Sequence, residues 1–140
     1  MDSKLAIKAL SLQKKGYNCA QATACAFSEY LPLDENLIYK MAEGFGSGMG
    51  DYERVCGALS GAIMVLSLLN STGDSSNTSK VSTYELVTEL LKEFNSKNKT
   101  TVCKELKGIE TGIEMRSCLG CIEDAVKITE NILNRRVVNE

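Results

Sequence analysis

The chain has 140 residues, 44% of them hydrophobic, and 16 Lys and Arg against 18 Asp and Glu give a net charge of −2. That length and apolar content predict a single domain over 1–140 that buries its own core without disulfide staples, and the near-neutral balance lacks the basic stripe that nucleic acid or an anionic membrane demands. Six cysteines and no histidine remove imidazole from every mechanism and leave sulfur as the expected reactive atom.

The opening stretch MDSKLAIKAL carries a lysine inside its apolar region and no small-residue cleavage site, so it does not read as a signal peptide, and a cytoplasmic location is expected. In that reducing compartment the cysteines are expected to be metal ligands or redox thiols rather than structural bridges. Apolar spacing predicts a first helix over 5–15, ended by Gly16, and a second over 19–30, ended before Pro32. Asn18 with Gln21 resembles a capping box at the start of that second helix. Asp34 is the predicted cap of a third helix over 35–43.

Gly44, Gly46, Gly48 and Gly50 then interrupt regular structure and give the strongest loop signal in the chain. The apolar run from Val55 to Leu69 is shorter than the ~18 residues of a spanning helix and includes Ser60 and Ser67, so it predicts a buried core helix and no membrane insertion. Residues 70–79 read as a polar surface loop. A fifth helix over 81–94 is expected to bury Val81, Leu86, Leu90, Leu91 and Phe94. The last, from the Cys118 region to about Val137, is expected to bury Ile122, Ala125, Val126, Thr129, Ile132 and Leu133. One proline and few alternating segments argue against a sheet. The fold class expected is all-α, a single-domain bundle of about five to six helices.

At least four cysteines stand at predicted helix starts: Cys19, Cys56, Cys103 and Cys118, with Cys121 close behind. A helix start aims unpaired N–H groups and the positive end of the dipole at such a sulfur, which lowers a thiol pKa from about 8.5 and equally suits an anionic metal–sulfur cluster. In Cys56-Gly57-Ala58-Leu59-Ser60-Gly61 the two glycines lie one turn apart and strip a helix face of side chains. Close helix packing explains that face, as does room for a cofactor beside Cys56, and it also suggests a homodimer. Cys118-Leu119-Gly120-Cys121 is a C-x-x-C, which reads as a redox pair, as two ligands of one metal, or as one ligand beside a cysteine that serves as a small core residue. Cys25, in the alanine-rich stretch 20–26, reads as core. Arg54, two residues before Cys56, has two readings, a cation that favours a thiolate there and, ahead of it, an exposed arginine at a helix start that needs no function. The carboxylates, Asp124 included, are spread as on solvated helix faces, and none is assigned to catalysis, so the catalytic residues stay unknown.

Taken in order, Gly16-Tyr17-Asn18-Cys19-Ala20-Gln21-Ala22, the glycine segment 44–50, the Cys56–Gly61 segment, Cys103-Lys104-Glu105-Leu106 and Cys118 resemble the C_GCAxxG_C_C family, which is related to the N-terminal part of split-Soret cytochromes. The resemblance covers nearly the whole chain. It implies a small all-helical domain with a redox role, and in the cytochrome relatives an iron–sulfur cluster. The four cysteines of the family pattern fall on Cys19, Cys56, Cys103 and Cys118, while Cys25 and Cys121 stand where that pattern has an apolar residue. Four sulfurs from separate helix starts also form the all-cysteine donor set that clusters require. The leading expectation is electron transfer through an iron–sulfur cluster on these four cysteines, with a redox partner protein. The alternatives are a thiol–disulfide oxidoreductase or redox sensor, with Cys56 or Cys118 attacking and Cys121 or another cysteine resolving, and a zinc-bound structural or interaction module.

Overall fold

The computed structural model describes residues 3–139, with side chains through Arg136; Met1, Asp2 and Glu140 lie outside the described residues, as does the side chain of Val137. Among the described residues seven α-helices follow one another: α1 (Lys4–Lys14), α2 (Cys19–Ala26), α3 (Glu35–Ala42), α4 (Gly57–Asn70), α5 (Lys80–Asn98), α6 (Cys103–Lys107) and α7 (Cys118–Asn139). The fold is all-α, one short helix richer than the sequence predicts. Among the described residues the only extended pairing is one antiparallel bridge, Val55 with Val102.

The predicted caps form. Asn18 accepts from the Gln21 N–H at 2.9 Å while the Gln21 side chain accepts from the Asn18 N–H at 2.9 Å, and Asp34 accepts from the Leu37 N–H. The second helix is shorter than predicted, since α2 gives way to a single 3-10 turn, Ser28–Tyr30. The glycine segment is more ordered than a loop. A 3-10 turn, Glu43–Phe45, leads into a left-handed turn with Ser47, Gly48 and Met49 all at positive φ.

α2 lies at the centre, with every residue from Ala20 to Ala26 buried. Its small side chains let neighbours approach closely. A Cβ on Gly61 of α4 would sit 2.5 Å from the Ala20 carbonyl oxygen, and one on Gly57 would sit 3.2 Å from the Cys19 Cβ. The bare face of α4 therefore packs against α2 of the same chain. Leu59 and Leu66 of α4, Leu90 and Phe94 of α5, and Ile122, Val126 and Ile132 of α7 fill the core, each contributing roughly 1.5–3 kcal/mol of burial. On the predicted face of α5, Leu86, Leu90 and Phe94 are buried and Leu91 is half-buried, while Val81, in the first turn, departs from the prediction at 71% exposed. No helix among the described residues is long and apolar enough to cross a membrane.

Candidate thiol centre

Two long-range devices and one local cap bring the cysteines together. The bridge between Val55 and Val102 sets Cys56 and Cys103 side by side: the Cys56 N–H donates to the Thr101 carbonyl at 2.8 Å, and the Cys103 N–H to the Arg54 carbonyl at 2.9 Å. The glycine face of α4 brings Cys19 up to Cys56. Ser117 accepts from the Gly120 N–H at 2.9 Å, fixing the start of α7 so that Cys118 and Cys121, three residues apart, share a face. Gly48 completes the wall. Its φ of +59° is open to glycine at little cost, and a Cβ there would meet the Cys103 Cβ at 2.5 Å.

The result is one small cavity of about 20 Å³ lined by Cys19, Cys56, Cys103, Cys118 and Cys121, together with Ser47 and Lys107. That space is about the volume of a single water. Cys56, Cys103 and Cys121 are buried, Cys19 and Cys118 half-buried, and all are free thiols. Cys121, which the sequence pattern leaves open as a core replacement, stands in the cavity beside the other four. Cys25 stays apart, its thiol donating to the Glu35 carbonyl at 3.8 Å.

Four of the five thiols form two facing pairs with opposite proton affinities within each pair. The Cys19 thiol donates toward Cys118 and, against the cost of burial and with the Lys107 ammonium nearby, holds the Cys118 pKa down to about 6. The same contact, with burial, pushes Cys19 far up. Cys121 likewise donates toward Cys56, which is lowered although burial opposes it. The N–H groups of Ala58 and Leu59 at the start of α4 face the Cys56 sulfur and add to the effect without closing a full cap hydrogen bond. Cys121 is raised by its partner and by burial. Burial pushes Cys103 up to about 11, so a position at a helix start does not by itself make a thiolate.

The structure decides between the two readings of Arg54. Arg54 is exposed, and its backbone, rather than its guanidinium, serves the site. Two cations line the cavity, Lys107 and Arg116; Arg116 is engaged by Asp124, whereas Lys107 acts on Cys118, and its signal was its place one turn after Cys103, on the same face of α6. Asp124 is corrected. It is 1% exposed, not on a solvated face, and accepts from Arg116 Nε at 3.0 Å, Arg116 Nη2 at 3.1 Å, Lys97 Nζ at 2.6 Å and Asn98 Nδ2 at 3.1 Å. This cage holds Arg116, the residue next to the Ser117 cap, and the Arg116 carbonyl oxygen lies 4.0 Å from the Cys121 sulfur.

Among the described residues no three Cys, Asp or Glu side chains surround a common point as one metal ion requires. What the centre offers is a set of soft sulfur donors, two of them disposed to ionise.

No curated protein and no solved structure matches the chain. A family model does: residues 17–132, a span that holds all five sulfurs of the centre, match the family described as "Putative redox-active protein (C_GCAxxG_C_C)". The chain therefore belongs to the C_GCAxxG_C_C redox-active family.

Proposed function

We propose that the chain is an electron-transfer protein whose redox centre is an iron–sulfur cluster held by Cys19, Cys56, Cys103 and Cys118. The observation that carries this reading is the meeting of five sulfurs from four separate stretches of chain in one cavity. A single redox dithiol needs only two. Thiolate sulfur is the donor that such clusters take, so the residues present fit the group by their chemistry; the cavity of about 20 Å³ requires the thiols to move apart to admit it. When bound, a cluster supplies one-electron transfer at a potential set by its surroundings. The chain's part is to bind and to shield. The starts of α2, α4 and α7 direct positive dipole ends at the negative centre, and the left-handed turn at 47–49 covers Cys103. A redox partner protein is the expected electron donor or acceptor, and free thiols in this number suit a reducing, cytoplasmic compartment.

The two facing pairs favour a second reading as a thiol–disulfide oxidoreductase. In it the Cys118 or Cys56 thiolate attacks a substrate disulfide and expels one substrate thiolate, and Cys19 or Cys121 displaces the second. Two chain thiols are oxidised to a disulfide, and the substrate disulfide is reduced to two thiols.

Serine variants separate the readings. After reconstitution with iron and sulfide, Cys56→Ser and Cys103→Ser are expected to lose cluster absorbance, and Cys25→Ser to keep it. A full cluster retained in Cys56→Ser would count against the assignment. Zinc in place of iron would be detected by the same metal analysis.

A further inference from the structure

Lys107 is a cation that the fold directs at the thiol centre. It follows Cys103 by one turn in α6, so both side chains leave the helix toward the cavity, which Lys107 lines with the five cysteines. Its ammonium stands 5.0 Å from the centroid of the Tyr52 ring, a cation–π distance. Tyr52 is held there at a cost. Its φ of 68° lies in the left-handed region that a bulky residue rarely enters, and it is fixed by its N–H donating to the Ser47 carbonyl and its carbonyl accepting from the Lys104 N–H, both at 2.8 Å. The neighbouring Lys104 is engaged by Glu53 and Glu110, whereas among the described residues no carboxylate pairs with Lys107. The charge is therefore left for the sulfurs.

We propose that Lys107, clamped by the Tyr52 ring, is a positioning residue whose positive charge sets the reduction potential of the thiol centre by favouring its reduced, more negative state. This assignment rests on the reading of the cysteines as a redox centre. It applies to either form of that centre. Reduction adds one electron to a cluster, or two electrons and one proton to a disulfide, giving one thiolate and one thiol. In both cases negative charge grows beside a partly desolvated ammonium, where its effect is far larger than in water.

The test compares the full-length wild type with Lys107→Met, Lys107→Arg and Tyr52→Leu. Metal-free protein is equilibrated with mixtures of reduced and oxidised glutathione and its free thiols are labelled; protein reconstituted with iron and sulfide is titrated with a chemical reductant and followed by visible absorption. Lys107→Met is expected to shift the balance about tenfold toward the oxidised form, about 30 mV for a two-electron couple or about 59 mV for a one-electron couple. Lys107→Arg keeps the charge and should stay within about twofold of wild type, and Tyr52→Leu should shift in the direction of Lys107→Met by a smaller factor. A Lys107→Met potential equal to wild type overturns the proposal, as does an Lys107→Arg shift as large as that of Lys107→Met. If no iron binds while the metal-free couple shifts as stated, the cluster reading fails and the role of Lys107 stands. Absence of a reversible couple in both forms overturns the redox reading and this assignment together.

Discussion

Position at a helix start treats Cys19, Cys56, Cys103 and Cys118 alike, yet the structure separates them. Cys118 and Cys56 are lowered by facing thiols, while Cys19 and Cys103 are raised. The dipole is a weak influence beside a thiol that donates directly into the same pocket. Alkylation of reduced, metal-free protein checks this asymmetry. The rate at Cys118 should level off above a midpoint near pH 6 and fall about tenfold per pH unit below it, because only the thiolate reacts. Cys19→Ala removes the donor and should raise that midpoint toward the ordinary thiol value. Lys107 escaped the sequence reading because its nearness to Cys118 depends on α6 meeting the start of α7, while Arg54, near Cys56 in sequence, has its backbone tied into the loop by the Arg54 N–H to Gly48 carbonyl bond. Asp124 escaped it because burial of a carboxylate depends on Arg116, Lys97 and Asn98 arriving from elsewhere in the chain.

At the scale of elements, the helices were legible because caps and 3.6-residue periodicity are local. The predicted starts at Cys19, Glu35 and Cys118 coincide with observed helix starts, and the helix predicted from the run Val55 to Leu69 begins at Gly57. The left-handed turn was not legible, since Ser47, Met49 and Tyr52 take positive φ in a segment held by the Tyr52 N–H on the Ser47 carbonyl and by the distant Lys104 N–H on the Tyr52 carbonyl. The glycines of α4 carry both of their sequence readings at once, packing against α2 and bringing Cys19 to Cys56. Gly61→Ala should therefore destabilise the fold by about 1–3 kcal/mol, because the atom in the way is the Ala20 backbone and cannot rotate aside. Urea denaturation followed by circular dichroism measures that loss. Unchanged stability would mean that α2 and α4 are not held this closely.

Across the whole molecule, five sulfurs separated by up to about a hundred residues meet through one bridge, one glycine face and one caged carboxylate. No local pattern encodes that meeting, which is why the donor types were legible and their convergence was not. The Asp124 cage ties α5 and the segment before α7 to α7 itself. Burial alone would raise the Asp124 pKa, and its bonds from Arg116, Lys97 and Asn98 more than reverse that. A carboxylate with a depressed folded pKa stabilises fully above its unfolded value of about 3.9, and this contribution is lost as pH falls through the folded pKa. Asp124→Asn should accordingly cost roughly 2 kcal/mol at pH 7, below the ~3–5 kcal/mol of a fully buried pair because Lys97 and Arg116 reach water. The gap between variant and wild type in denaturant melts should close below about pH 4.

The central claim is that the converging thiols hold an iron–sulfur redox centre. Its most direct test is visible absorption with iron and acid-labile sulfide analysis of wild-type protein purified without oxygen. Brown protein containing iron and sulfide, bleached reversibly on reduction, is the predicted result. Colourless protein that takes up neither iron nor sulfide after anaerobic reconstitution would contradict it.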